Sequence, residues 1–267
     1  MAKGKSGNNR GLLALIGGSE DRHNGHGLLA RIVQESRAGC AAIIPAASAA
    51  QDELDRDYLK AFQSLGVAEV LPLVIGGREE ADSPENLEKV RKADLFFFTG
   101  GSQVRLLDTL EGSGLLAEVV RRHQAGATIA GTSAGAAAAG EWTIFYGDGH
   151  GTEKEASGWR KGFGLLPGLA VDTHFLERGR IYRLGQFLSS GVCRRGIGLP
   201  EDTAVFVKSD GVMEVAGSGV VTVMDGEGIQ SNDFGKVEKG TPVTVHGLGL
   251  GFLPAGARFD LNKWRVA

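Results

Sequence analysis

Short apolar runs bounded by turn residues alternate with helix-period segments through the first half of the chain. The runs are Leu12 to Ile16, Ala41 to Pro45, Val70 to Ile75, Leu95 to Thr99 and Thr128 to Ala130. Runs this short and this uniformly apolar suit strands buried on both faces. The alternation therefore predicts βαβ units and an α/β fold with a mostly parallel, doubly covered sheet. Between the runs, Leu54, Tyr58, Phe62 and Leu65 recur at helical spacing. Ser83-Pro84 supplies an N-cap followed by proline at the first helical position. After about Gly196 the pattern changes to β-branched strands and glycine turns, in Ala204 to Val207, Val220 to Met224 and Thr241 to His246. This predicts a β-rich, antiparallel C-terminal extension packed on the same sheet.

The 267 residues suit one large α/β domain over residues 11–267, behind a basic segment, residues 1–10, read as a disordered tail. A formal charge of −3 with no dense Lys/Arg tract argues against a nucleic-acid partner. No apolar run approaches membrane-spanning length, so no membrane partner is expected. Cys40 and Cys193 are too few for a disulfide framework, which fits a cytoplasmic protein. Zinc spacing of the H-E-x-x-H or paired C-x-x-C kind does not occur, and no metal is expected. Gly17-Gly18 lacks the third glycine of a dinucleotide fingerprint and is followed by Glu20 and Asp21, so no cofactor is implied there. A peptide or small molecule remains as the partner.

Gly131-Thr132-Ser133-Ala134-Gly135 follows an apolar run and opens into Ala136 to Ala139, which reads as strand, sharp turn and helix with a serine at the turn. That is the pattern of a nucleophile elbow, where the flanking glycines let strand and helix pack closely. In open α/β sheets the ligand lies beyond the carboxyl ends of the strands. Three polar loops converge at that edge: Gly17 to Asp21, Gly100-Gly101-Ser102-Gln103, and Ser133 itself. A serine hydroxyl needs a base within hydrogen-bond reach and an acid to orient that base. His174, in Val171-Asp172-Thr173-His174-Phe175, stands where an apolar strand ends in polar residues and runs into an arginine-bearing helix. It is the first candidate base, and His150, in a glycine-rich loop read as mobile, is the second. Glu201 and Asp202 precede a strong strand, and because successive extended residues face opposite sides, one of the two is the candidate acid. Arg178, Arg180 and Arg183 bring three guanidiniums close together. A carboxylate-bearing ligand would relieve their repulsion.

Taken in order, Ile16 to Asp21, Gly100 to Gln103, Gly131 to Ala136, Gly162 to Gly168, Asp172-x-His174-Phe175 with its three arginines, Glu201 to Ala204 and Leu253 to Leu261 resemble the cyanophycinases. The likeness spans nearly the whole chain. These serine peptidases are related to peptidase E and share a class I glutamine amidotransferase-like fold. They release β-Asp-Arg dipeptides from cyanophycin, a poly-aspartate backbone carrying arginine side chains. The resemblance implies Ser133 as nucleophile, His174 as general base and Glu201 as third member. It implies oxyanion donors at Ala134 and at Gly101 or Ser102, and substrate contacts by Gln103, Asp172, Thr173, Arg178, Arg180 and Arg183. It also implies a homodimer. Two departures stand out: the family carries glutamine where this chain has Thr173, and the stretch from Glu141 to Arg160 differs from the family loop. A related peptidase cutting short aspartyl peptides is therefore the alternative, ahead of a non-catalytic protein using the same cleft. A glutamine amidotransferase would need cysteine at the elbow and a His-x-Glu pair, whereas His174 is followed by Phe175-Leu176.

Overall fold

A computed structural model describes residues 10–22, 27–48, 51–147 and 153–267, with residues 51–55 by backbone only. Residues 1–9, most of the segment read as a tail, lie outside the described residues, as does His150. The first half runs β1 (Leu13–Ile16), α1 (Leu28–Ser36), β2 (Cys40–Ile44), α2 (Gln51–Ser64), β3 (Glu69–Pro72), α3 (Arg78–Ala81) and α4 (Pro84–Lys92). It continues with β4 (Leu95–Phe98), α5 (Gln103–Leu110), α6 (Gly114–Gln124), β5 (Thr128–Thr132) and α7 (Ala134–Ala137). There follow β6 (Gly140–Phe145), β7 (Gly158–Lys161), β8 (Leu166–Thr173), α8 (Ile181–Ser189), β9 (Arg195–Leu199), β10 (Thr203–Val207) and β11 (Val212–Gly217). The chain closes with β12 (Val221–Asp225), β13 (Ser231–Asn232), β14 (Val245–His246), β15 (Gly249–Leu253), β16 (Arg258–Asp260) and β17 (Arg265–Val266).

The five apolar runs become the parallel heart of a nine-stranded sheet, ordered β17-β16-β11-β10-β1-β5-β4-β2-β3. Alternate residues of these strands feed opposite layers, as a doubly covered sheet requires. Ala14, Ile16, Ile43 and Phe97 pack with Leu29, Ile32, Tyr58 and Phe62 of α1 and α2. Leu13, Leu15, Ile44, Phe96 and Phe98 pack with α5, α6 and α7 on the other side. Ser83 caps α4 as the sequence predicts, its hydroxyl accepting from the Asn86 N–H at 3.3 Å.

The C-terminal extension is antiparallel, but it divides between two sheets. β10, β11, β16 and β17 extend the main sheet from β1. β12 and β15 join a second, six-stranded sheet, ordered β15-β12-β9-β8-β6-β7, in which β6, β8 and β9 are parallel. Leu166, Leu169, Val171, Ile197 and Leu199 of that sheet bury against the main sheet, while α8 covers its outer face through Leu184, Phe187 and Leu188. The strand predicted over Thr241 to His246 shrinks to Val245–His246, paired with Ser231–Asn232. Pro242 has no N–H to offer a ladder and makes only an isolated bridge with Glu153.

Candidate active site

Ser133 occupies the turn between β5 and α7, with φ 51° and ψ −113°. A non-glycine residue is held there only by its surroundings, and those surroundings are close-packed backbone. A Cβ on Gly131 would lie 2.7 Å from the Gly135 carbonyl carbon, and one on Gly135 would lie 2.3 Å from the Phe98 carbonyl oxygen. The two glycines of the motif are thus what lets α7 sit on β4 and β5. The Ser133 N–H donates to the Ile16 carbonyl at 3.0 Å, which ties the elbow to β1.

His174 follows the last residue of β8, and its own positive φ of 46° turns the imidazole back over the end of the main sheet. Its Nε2 lies 2.8 Å from Ser133 Oγ, and its Nδ1 lies 2.6 Å from Glu201 Oε1. A ring nitrogen this close to a carboxylate carries the proton, so Nε2 is the free acceptor that faces the serine hydroxyl. Glu201 is the neighbour that meets the histidine, whereas Asp202 turns away and accepts from the Ser218 hydroxyl at 2.8 Å. The His174 hydrogen bond, aided by the Ser19 hydroxyl and the charge of Arg178, holds the Glu201 carboxyl below the usual carboxylate range against the opposing effect of burial.

Ala134 heads α7 with an N–H that has no backbone acceptor among the described residues, as expected for a first-turn position. The second expected donor narrows to Gly101, because the Ser102 N–H is already committed to the Ala47 carbonyl at 2.9 Å. Ser102 instead caps α5, its hydroxyl accepting from the Arg105 N–H. Gly100 lies against Ser133, where a Cβ would be 3.3 Å from Ser133 Cβ. Gln103, the first residue of α5, is half-buried and reaches the Ile144 carbonyl at 3.5 Å.

Two arginines of the cluster, Arg180 and Arg183, already have a carboxylate partner within the protein. Asp172 is fully buried and takes a bidentate pair from Arg183, whose Nε donates at 2.7 Å and whose Nη2 bonds the other oxygen. Arg180 is also buried, donating to the Thr173 carbonyl at 2.5 Å and to Asp172 at 3.4 Å. The anion that relieves their repulsion is therefore the protein's own Asp172. Arg183 also donates to the carbonyls of Tyr146 and Gly147, fastening the loop after β6 to the end of β8. Thr173 is fully buried, and its hydroxyl has no hydrogen-bond partner among the described residues. Arg178 alone of the three is exposed, beside Glu201.

Among the other histidines, His123 is buried at the end of α6 and His246 is exposed, while His23, His26 and His150 lie outside the described residues. Gly18, in a loop the sequence placed at this edge, has a role that motif reading did not assign. At φ 112° it faces the imidazole, and a Cβ there would lie 2.3 Å from His174 Cε1. Its signal was the doubled glycine directly after β1.

The fold is one seen in peptidases. The profile of Peptidase family S51 matches residues 13–215. Cyanophycinase of Synechococcus elongatus is 33% identical over 96% of this chain and 81% of its own. Cyanophycinase of Geminocystis herdmanii is 34% identical over 94% of each chain. A crystal structure of a peptidase from an acI-B1 Actinobacterium superposes with a TM-score of 0.70 at 24% identity, covering 95% of this chain and 98% of that one. A putative peptidase E protein from Listeria monocytogenes EGD-e gives 0.53 at 18% identity, covering 79% and 100%. The chain belongs to peptidase family S51 and is a serine peptidase.

Proposed function

We propose that the protein is an exopeptidase that degrades cyanophycin to β-Asp-Arg dipeptides through Ser133, His174 and Glu201. The observation that carries this reading is the continuous hydrogen-bonded line from Ser133 Oγ through His174 to Glu201, with spacings of 2.8 and 2.6 Å. In the proposed reaction Ser133 Oγ attacks the scissile carbonyl as its proton passes to His174 Nε2. Glu201 stabilises the imidazolium that forms, and the N–H groups of Ala134 and Gly101 receive the developing oxyanion. The imidazolium then protonates the leaving amine, and water repeats the sequence to free the acyl group. Relatives named cyanophycinase over nearly the whole chain support the polymer as substrate. The buried free thiols Cys40 and Cys193 are in keeping with a cytoplasmic setting, and a homodimer completes the proposal on family likeness.

A second reading, cleavage of short aspartyl peptides, is favoured by Thr173. Its side chain is fully buried and presents no amide to a substrate. One experiment separates the two. Insoluble cyanophycin and a short β-aspartyl peptide are each incubated with the wild type and with Ser133→Ala, and products are read by mass. Release of β-Asp-Arg from the polymer, abolished by Ser133→Ala, is the expected result. Cleavage of the short peptide alone replaces the polymer with the second reading. Equal activity in Ser133→Ala overturns the serine mechanism.

A further inference from the structure

The segment after β1 holds a different piece of the site with every residue. Carbonyl oxygens of Ile16, Gly17 and Gly18 accept from the N–H groups of Ser133, His174 and Asp202 at 3.0, 2.9 and 2.8 Å. The Ser19 side chain helps to keep the Glu201 carboxyl ionised. Glu20, next in line, points inward. It is 6% exposed, and its carboxylate accepts from the hydroxyls of Tyr58 and of Thr132, the latter at 2.5 Å. Among the described residues it has no ion-pair partner, so two hydroxyls carry a buried acid. Burying a carboxyl group on such terms is costly, and an apolar residue would fill the space more cheaply. What the acid provides is a short hydrogen bond that grips Thr132, the residue directly before the strained Ser133.

We propose that Glu20 is a positioning residue, clamping Thr132 so that the elbow stays in register with the loop that holds His174 and Glu201. It acts through Thr132 and touches no reacting atom. The inference rests on the reading of Ser133 as nucleophile, and its test is chosen to fail separately from that reading.

Thr132→Val keeps the shape of the side chain and removes the hydroxyl, whereas Thr132→Ser restores it. Ser133 is labelled with a fluorophosphonate, which needs no knowledge of the substrate, and melting temperatures are measured alongside. Glu20→Gln and Thr132→Val should label about 10- to 100-fold more slowly, the scale of a displaced nucleophile. Thr132→Ser should recover most of that loss. Labelling of Thr132→Val at the wild-type rate, or equal slowing in Thr132→Val and Thr132→Ser, overturns the proposal. Should Glu20→Gln not fold, the Thr132 pair decides alone. If the wild type itself does not label, the nucleophile reading fails, and the downfield proton resonance of His174 Nδ1–H then judges the clamp. A resonance displaced in Thr132→Val supports it, and an unchanged one overturns it.

Discussion

Gly18 and His174 are packed so that the imidazole occupies the place a side chain on residue 18 would take. A Cβ there would lie 2.3 Å from Cε1 and 2.7 Å from Nε2 of the ring, and the backbone at φ 112° is one that only glycine adopts without strain. The loop after β1 is thus a seat for the proposed base. Gly18 serves close approach to a ring and Gly17 close approach to the Pro200 carbonyl, where a dinucleotide-binding loop would use its glycines to approach a phosphate.

Gly18→Ala should therefore displace His174 while leaving both sheets in place, because the clash falls on one side chain at the sheet edge. Turnover should drop by about 100-fold, comparable to a misplacement of the reacting groups by about 1 Å. Circular dichroism should stay close to wild type. Near-normal turnover in Gly18→Ala would mean that the ring is free to shift, and that its seat is unimportant.

Glu201 and Asp202 are adjacent, yet one faces the imidazole and the other faces Ser218. Glu201→Gln keeps the outline of the side chain and removes the charge that would stabilise imidazolium. kcat should fall steeply and KM little. Asp202→Asn should cost far less. The Glu201 carboxyl is held below its usual range, chiefly by its hydrogen bond to His174. Its ionised state therefore persists below the unfolded value of about 4.3 and is lost only as pH falls through the lowered folded value. The charge on Glu201 should accordingly stay in place at every pH above the ordinary carboxylate range, so its titration adds nothing to the activity profile near neutrality. A protonated carboxyl band in the infrared spectrum near neutral pH, absent in Glu201→Gln, contradicts this assignment.

The parallel heart of the fold was legible because strands buried on both faces have little choice but to read as unbroken apolar runs, and all five runs fall on strands. The elbow was legible for a local reason: its two glycines and its serine lie within five consecutive residues. The second sheet was not. β8 begins with Leu166-Pro167-Gly168, which reads as a turn, and its partner β6 opens with Gly140-Glu141 in place of an unbroken apolar run. The pairing of Arg180 and Arg183 with Asp172 was hidden for a related reason. Repulsion among Arg178, Arg180 and Arg183 is visible in sequence, but the return of Asp172 beneath Arg183 is a property of the β8–α8 connection. His174 stood first among six histidines because an apolar strand ends in polar residues there, although nothing local to that strand end says that Ser133 and Glu201 come to meet it.

Arg183 and Arg178 should separate cleanly when replaced. Arg183→Met leaves the buried Asp172 without its bidentate partner and releases the Tyr146 and Gly147 carbonyls. Loss of one member of a buried pair typically costs about 3–5 kcal/mol. A large fall in melting temperature is the expected result. Arg178→Ala removes an exposed charge and should leave melting unchanged, while raising KM for acidic peptides in a way that added salt diminishes. If Arg183→Met melts like wild type and only KM rises, the guanidinium serves the substrate after all.

His123 gives the fold an acid sensitivity that is separate from the proposed chemistry. Its ring is buried, with Nδ1 2.9 Å from the Ala127 carbonyl and Nε2 accepting from Arg10 Nε at 3.0 Å, an arrangement that requires the neutral form. Burial, with the nearby Arg10 charge, lowers its pKa, and the Ala127 carbonyl only partly offsets this. The unfolded chain then binds the proton more readily than the folded one. Stability contributed by the neutral ring is complete above the unfolded value of about 6.5 and is lost progressively as pH falls from there through the lowered folded value. Melting temperature should decline between about pH 7.5 and pH 5.5 in the wild type. His123→Gln, which retains a donor and an acceptor but cannot titrate, should decline less over the same window, whatever its absolute stability. An equal decline in the two proteins would place the acid sensitivity elsewhere.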